Sequence, residues 1–284
     1  MILACSTDRD PNSLFAPESG TLVVDAVMRV GELFPVVRVS ETVAANATYD
    51  PMAAAVSGAT VWIIGAADTV QYFEDGQEYA PIFGSAVRPS TRYTLEVFTA
   101  DGRTVRATTI TPVRLRVNRW VLLDNTGTRV LRDLNRFDFT APENQIVYTD
   151  GLIEAWFDQG TEPGYIVGLF SRSPNSPLLI DTDLIDEADL SRDSSSPPID
   201  TDDGTLRLPW LAIWYEGRYE FQLHRADRNW YDYARSAPIP GANFGFGGSA
   251  GDDFEQPIFH VDGGIGLFGS MASDAIQVNI LPRP

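Results

Sequence analysis

The sequence predicts a mostly β protein, with an N-terminal Ig-like or transthyretin-like β-sandwich followed by a second β-rich domain that contains one short helix. Up to Thr111, apolar and polar residues alternate in runs that recur about every ten residues between turn residues. The helical period of 3.6 residues is absent from that half. We expect a tether at residues 1–20, the sandwich at 21–113 and the β-rich C-terminal domain at 114–284.

The clearest single element is a hairpin between Tyr93 and Thr111, where an Asp-Gly pair separates two alternating runs. A two-residue loop would place Val97 opposite Arg106 and would mix apolar and charged side chains on both faces. A three-residue loop with Gly102 in the left-handed region avoids this mixture, so we predict a bulged hairpin with one buried face. The predicted cross-strand pairs are Val97 with Val105, Leu95 with Ala107, and Glu96 with Arg106.

Five further strands are predicted before the hairpin. The third of them is nearly continuous in apolar character, which favours a central strand covered on both faces. A loop separates the second strand from the third. The predicted strands span residues 22–30, 36–43, 58–65, 70–74 and 78–83.

The second half of the chain is also predicted to be rich in strands, and it holds five of the six tryptophans, which we expect to fill core volume. One helix is predicted, beginning after Asp227 as N-cap, with Trp230, Tyr233 and Ala234 on one face and Pro238 ending it. The predicted strands span residues 114–123, 145–148, 152–157, 165–171, 206–215, 219–224 and 275–281.

The charge balance excludes some partners. The 284 residues include 39 acidic and 21 basic residues, all of the latter arginine, for a net charge of −18. Nucleic acid is an excluded partner, because phosphate binding relies on basic residues. The acidity indicates either a solvated surface or a surface that binds divalent cations.

The single cysteine, Cys5, excludes an intrachain disulfide and a thiolate metal cluster. The opening residues Met-Ile-Leu-Ala-Cys resemble the end of a bacterial lipoprotein signal, in which a small residue precedes the cysteine that becomes lipidated. No apolar run is long enough for a membrane-spanning helix. We therefore expect lipidation at Cys5 and a membrane anchor through the lipid, with residues 6–20 as a tether.

Two long segments have loop composition, and one of them resembles a cation-binding loop. Residues 181–204 are acidic and rich in serine and proline, and residues 241–257 are rich in glycine. Calcium takes six to eight oxygen ligands, which alternating carboxylates around a glycine turn can supply. The EF-hand pattern fails, because no glutamate stands at the required later position. The candidate calcium ligands are Asp181, Asp183, Asp200, Asp202 and Asp203, and no other cofactor is expected.

The histidines and the glycine motif, which could indicate catalysis or cofactor binding, are better explained by structural roles. His224 and His260 are the only histidines, which excludes a three-histidine zinc site, and no G-x-S-x-G nucleophile elbow is present. Residues 264–269 match G-x-G-x-x-G, but the chain ends too soon afterwards for a dinucleotide-binding unit. We interpret these glycines as permitting close backbone approach in a turn before the last strand.

A pair of carboxylates for glycoside hydrolysis is harder to exclude, because such acids can come from any part of a β fold. Four acids lie among aromatic residues, which fits either a sugar-stacking surface or the ordinary alternation of core and rim. No catalytic residue is assigned. The four acids are Glu154, Asp158, Glu216 and Glu220, and their aromatic neighbours are Trp156, Trp214, Tyr215 and Tyr219.

Taken together, several segments resemble the DUF4249 family of bacterial envelope lipoproteins. The similar features are an early cysteine, the strand at residues 22–30, and the segments at residues 56–61, 93–97, 230–233 and 263–269. The resemblance implies a lipid-anchored envelope protein, often encoded near TonB-dependent outer-membrane receptors. It implies no catalytic residue and no ligand.

These observations lead to one functional expectation and two alternatives. We expect a non-enzymatic outer-membrane or cell-surface lipoprotein that acts as an accessory or binding protein near a TonB-dependent transporter. The alternatives are a carbohydrate-active hydrolase and a calcium-stabilised adhesion module.

Overall fold

The structure is a computed structural model. It describes residues 19–44, 47–148, 151–162, 164–179, 190–201, 203–208, 213–236 and 257–283. Most of the secondary structure in these ranges is strand, which confirms the mostly β fold class. No helix in them is both long and apolar enough to cross a membrane.

The first half forms seven strands and one turn of α-helix. This helix follows Asp50, whose carboxylate accepts a hydrogen bond from the backbone nitrogen of Met52. The elements are β1 (Leu22–Arg29), β2 (Val37–Glu41), α1 (Pro51–Ala54), β3 (Thr60–Gly65), β4 (Thr69–Asp75), β5 (Glu78–Pro81), β6 (Arg92–Phe98) and β7 (Thr104–Ile110).

The predicted hairpin is confirmed in its register and in its loop. Strands β6 and β7 pair Val97 with Val105 and Leu95 with Ala107, and these four side chains are buried. On the other face, Glu96 forms an ion pair with Arg106. The loop is closed by a hydrogen bond from the Thr99 nitrogen to the Arg103 oxygen, and Gly102 has a φ of 90°.

The strands of the first half surround one hydrophobic core in two layers. Strands β1, β2 and β5 form one layer, and β3, β6 and β7 form the other. Strand β4 joins them, because residues 69–71 pair with β3 and residues 72–75 pair with β5. In β3 the side chains of Val61 and Ile63 are buried and those of Trp62 and Ile64 are half-buried. The predicted central position of this strand is confirmed, because β3 pairs with β4 on one side and β6 on the other, but its outer face is only partly covered.

The second half contains a smaller sheet packed against the end of a larger one. The smaller sheet has the order β14-β11-β8-β9, and its buried face meets the larger sheet across a second core. The elements are β8 (Val117–Leu123), β9 (Val130–Asp133), a 3-10 helix (Pro142–Asn144), β10 (Gln145–Val147), β11 (Leu152–Phe157), β12 (Gly164–Ser171), β13 (Asp193–Ser195), β14 (Thr205–Leu208), β15 (Gly217–Ala226), α2 (Arg228–Ser236), β16 (Val261–Asp262) and β17 (Ile265–Leu281).

The last strand, β17, contributes to both cores. Its first part pairs in parallel with β1 and places Phe268 in the first core. Its second part pairs with β15 and places Ile276 and Val278 in the second core. The domain boundaries at residues 20 and 113 remain a prediction, and a strand from the end of the chain completes the first core.

The glycine-rich segment at residues 264–269 forms the predicted turn only at its start: Gly264 lies in the bend between β16 and β17, whereas residues 265–269 lie within β17. The expected close backbone approach is present at Gly266, which has a φ of 113°. A Cβ atom there would stand 2.1 Å from the carbonyl oxygen of Val24 in β1. Glycine therefore allows the parallel pairing of β1 with β17.

The predicted helix and its cap are confirmed. The Trp230 nitrogen donates to Asp227 Oδ1 at 2.9 Å, as an N-cap requires. The fully buried side chains of α2 are Asp232 and Ser236, whereas Trp230 and Tyr233 are half-buried. Pro238, the predicted end of the helix, lies outside the described residues.

Asp227 also joins the two halves of the molecule. Its carboxylate accepts hydrogen bonds from Thr109 Oγ1 in β7 and from the Ser270 nitrogen in β17. The side chain is buried, and the helix that it caps donates from Asn229 Nδ2 to the carbonyl oxygens of Thr108 and Phe268. This network fixes the start of α2 against strands of the first sandwich.

Candidate binding surfaces

Of the acids considered for glycoside hydrolysis, Glu154 and Glu220 lie on opposite sides of the second core and do not face each other. Glu154 lies on the outer face of the smaller sheet, where it accepts hydrogen bonds from Trp156 Nε1 and Arg207 Nε. Glu220 lies on the outer face of the larger sheet, on the opposite side of the second core. Asp158 is exposed and accepts a hydrogen bond from Asn118 Nδ2.

The carboxylate of Glu220 is held in its charged form by neighbours in its own sheet. Burial alone would raise the pKa of Glu220, but hydrogen bonds from Gln222, Arg172 and Gln277 hold it below its ordinary value. A general acid in glycoside hydrolysis instead needs a pKa above its ordinary value. The environment of Glu220 therefore stabilises an ion and not a proton donor.

Arginines cover several of the aromatic rings that could have formed a sugar-stacking surface. The guanidinium of Arg119 lies 4.8 Å from the ring centroid of Trp156. That of Arg192 lies 3.7 Å from the ring of Tyr215, and Tyr219 is buried in the second core. A sugar can stack only on an open ring face. Because arginines cover the rings of Trp156 and Tyr215 and the ring of Tyr219 is buried, we interpret these aromatic residues as part of the protein's own packing.

The calcium site stays a prediction, because three of its five residues lie outside the described part of the chain: Asp181, Asp183 and Asp202. Of the other two, Asp203 closes its own turn. It accepts hydrogen bonds from the nitrogen and hydroxyl of Thr205 and from the hydroxyl of Thr201, and these bonds lower its pKa. Within the described ranges, no group of three or more histidine, cysteine or acidic residues could hold a metal ion.

Both histidines have protein partners. His224 is buried in β15, and its Nδ1 lies 2.7 Å from Ser273 Oγ. Burial lowers the pKa of His224 from 6.5 to about 4, and the charge of Arg29 acts in the same direction. His260 Nε2 lies 2.9 Å from the carboxylate of Asp232 in α2. Cys5, the predicted lipidation site, lies outside the described residues.

The outer face of the first layer carries an apolar surface that the sequence analysis missed. Val36 continues β2 so that it stands beside Ala80 of β5, and Phe73 of β4 pairs with the same Ala80. Ile82 extends this surface along β5, since its nitrogen donates to the oxygen of Gln71. Val36, Phe73 and Ile82 each expose between 43% and 49% of their surface.

Two more exposed side chains lie near the segment that follows β5. Leu33 is 65% exposed and packs against Gly84, where a Cβ atom would stand 3.2 Å from its side chain. Phe83 is 80% exposed. We call Leu33, Val36, Phe73, Ile82 and Phe83 the apolar face.

A row of charged residues borders the apolar face on the same side of the sheet. Arg38 of β2 stands between Asp25 of β1 and Glu78 of β5, and its guanidinium lies 2.6 Å from the Glu78 carboxylate. Asp75 of β4 pairs with Glu78 and completes the row. Three carboxylates thus stand against one guanidinium, so the border is acidic.

The apolar face has a weak signal in the sequence. A half-exposed strand alternates apolar and polar residues, but Tyr72 is followed by Phe73 and Pro81 by Ile82. Because successive side chains in an extended chain point to opposite faces, two apolar residues in a row make the outer face apolar as well as the inner one. In a strand this short, such a pattern does not distinguish a surface from a second buried face.

Comparisons with known proteins support only the family. No curated protein matches the chain. A solved structure titled for the host cell surface retention of a 1.5-MDa bacterial ice-binding adhesin aligns with 8% identity and a TM-score of 0.22, over 92% of this chain. The chain spans 64% of that structure's length. The model of the domain of unknown function DUF4249 matches residues 9–275, and the chain therefore belongs to the DUF4249 family.

Proposed function

We propose that this protein is a non-enzymatic lipoprotein of the cell envelope that acts as an accessory or binding protein for a TonB-dependent outer-membrane transporter. The single observation that carries the proposal is the apolar face with its acidic border. Five partly or largely exposed apolar side chains, one in β4 and four in the segments next to β2 and β5, are typical of a protein interaction site.

The charges favour a different protein as the partner over a second copy of this chain. A net charge of −18 and an acidic border on the face itself produce repulsion between two copies. A partner with a basic rim around an apolar contact would complement both features. Lipid attachment at Cys5 would concentrate the protein at the membrane that holds such a partner.

The alternatives have less support. Hydrolysis needs two facing carboxylates, whereas Glu154 and Glu220 lie on opposite sides of the second core and both have arginine partners. A calcium-stabilised adhesion module would depend on the acidic loop, and of its five candidate ligands only Asp200 and Asp203 are described.

Recovery of the protein with its partner tests the proposal. The tagged full-length protein is expressed in its native host, and detergent-solubilised envelopes are purified on the tag. We expect a TonB-dependent receptor to be recovered with the wild type. Ile82→Arg should reduce its recovery at least tenfold, because it places a cation in a contact that must be apolar and that faces a basic rim.

Ile110→Arg is the matched control. Ile110 is 52% exposed and projects outward from β7, in the other layer of the sandwich. It should leave recovery unchanged. Equal recovery with Ile82→Arg and Ile110→Arg contradicts a role for the apolar face, and absence of any receptor with the wild type contradicts the proposed function.

The tether has its own test in the same strains. Metabolic labelling with palmitate should mark the wild type and leave Cys5→Ala unlabelled and released from the membrane fraction. A wild-type protein without label ends the anchor hypothesis.

A further inference from the structure

We propose that residues 134–141, which connect β9 to the 3-10 helix, form a preordered docking loop whose Phe137 inserts into an apolar pocket with a basic rim on the partner protein. We call these residues the Phe137 loop. The inference rests on the proposed function, and it adds a second contact site, in the second half of the molecule.

Phe137 is the most exposed large apolar residue in the described part of the chain, at 93%. The next aromatic residue, Phe139, instead lies under the guanidinium of Arg218, 4.2 Å from the ring centroid. The loop therefore packs one of its two phenylalanines against the protein and presents the other to solvent.

A fully buried asparagine holds the base of the loop. Asn144 accepts a hydrogen bond from the Asn135 nitrogen at 2.6 Å and donates to the Asn135 oxygen at 2.8 Å. It also donates to the carbonyl oxygen of Gln277 in β17 at 2.8 Å. Gln145 Nε2 donates to the Phe139 oxygen at 2.9 Å. The base is thus fixed to the central strand of the molecule.

The tip of the loop is held on both sides of Phe137. The side-chain oxygen of Asn135 accepts hydrogen bonds from the nitrogens of Phe137 and Asp138 at 2.9 and 3.1 Å. Arg136 donates to the Val117 oxygen at 3.0 Å and pairs with the buried carboxylate of Asp274. These bonds orient the backbone that carries Phe137.

This combination of a fixed backbone and an exposed ring is suited to binding. A loop that is already ordered loses little conformational entropy on association, so more of the contact energy appears as affinity. Single aromatic side chains that fill a pocket commonly dominate such interfaces. By contrast, an exposed phenylalanine adds nothing to the stability of the free protein.

The charges around Phe137 indicate what the partner pocket carries. Asp138 is exposed, and hydrogen bonds from the hydroxyl and nitrogen of Thr140 lower its pKa, so it is an anion at neutral pH. Of the cations at the loop, Arg136 is paired with Asp274, and Arg218 is engaged by the ring of Phe139 and by the side-chain oxygen of Gln277. A basic rim around the apolar pocket would complement this surface.

A second copy of this chain is a poor receptor for Phe137. Two of the cavities on the described surface have volumes of about 550 and 340 Å³. The first is bordered by Glu74, Asp75 and Glu78, and the second by Glu162 and Asp200. Neither offers an apolar pocket with a basic rim, and the net charge of −18 opposes self-association.

The test measures the affinity of purified full-length variants for the purified TonB-dependent receptor, all in the Cys5→Ala background so that no lipid anchor contributes. Phe137→Ala should weaken binding at least about 30-fold and leave the melting temperature unchanged. Asn135→Ala keeps the ring but removes its support, and it should give a smaller loss. Phe98→Ala, which removes a 45% exposed ring from the outer face of β6, is the control and should bind as the wild type does.

The possible outcomes separate the two proposals. If Phe137→Ala binds the receptor as tightly as Phe98→Ala, the docking loop is overturned and the proposed function stands. If no variant binds the receptor, both are overturned. If the protein binds vesicles of phosphatidylethanolamine and phosphatidylglycerol and Phe137→Ala does not, the ring enters lipid and the protein pocket is overturned.

Discussion

At the scale of single residues, arginine performs most of the charge compensation in this chain. Because lysine is absent, every cation is a planar guanidinium that can pair with a carboxylate and stack on an aromatic ring at once. Arg119 does both, with Asp133 and Trp156. Glu154, Glu220 and the ring of Trp156, which look available in the sequence, are therefore already engaged by arginines in the structure.

His224 supplies a prediction on pH. Its pKa in the folded protein is about 4 and its ordinary value is 6.5, so protonation favours the unfolded chain. The neutral, buried His224 contributes its full share to the free energy of unfolding above pH 6.5. As the pH falls towards 4 this share is lost, and the total loss is about 3 kcal/mol. The wild type should lose more stability than His224→Gln between pH 7 and about 4.5. Urea unfolding at a series of pH values measures this, and parallel losses in the two proteins would contradict it.

At the scale of elements, the pairing of β1 with β17 depends on a glycine. Gly266→Ala adds both a disfavoured φ and a Cβ atom 2.1 Å from the Val24 oxygen. We expect a loss of about 3 kcal/mol or more in the free energy of unfolding. Gly102→Ala has a similar φ of 90° but open space around its Cβ, and it should cost only about 1–2 kcal/mol. Chemical denaturation compares the two variants, and equal losses would show that backbone approach is unimportant.

Elements that form through contacts between residues close in the sequence could be predicted, whereas elements that depend on distant residues could not. The β6–β7 register followed from local alternation and from one glycine, and the cap of α2 followed from Asp227. The path of β17 could not be predicted, because nothing in residues 264–269 indicates that their partner is β1, more than 200 residues earlier in the chain.

The surfaces were harder to predict than the strands. Phe73 lies in β4 and Ile82 directly follows the short β5, and neither segment alternates clearly, so their outward direction is visible only from their pairing with Ala80 and Gln71. Phe137 lies in a polar stretch that gives no sign of whether an aromatic side chain packs or protrudes. The buried Asn144 fixes the Phe137 loop, but nothing in the sequence distinguishes it from the other asparagines. Only its contacts in the structure do so.

At the scale of the whole molecule, two cores share the strand β17, and Asp227 connects α2 to both Thr109 and Ser270. A molecule built in this way can hold two separate contact regions in fixed positions relative to each other. The apolar face lies on the first layer of the first sandwich, and the Phe137 loop is anchored beside β17 in the second. The net charge of −18 keeps copies of this body apart and favours a partner with basic contact regions.

Hydrogen–deuterium exchange of the protein, alone and in complex with the purified TonB-dependent receptor, tests the central claim most directly. We predict that the receptor slows exchange in residues 31–38, 71–84 and 134–141 and leaves β6 and β7 unchanged. Slower exchange confined to the cavity lined by Glu162 and Asp200, or no change anywhere in the presence of saturating receptor, would contradict it.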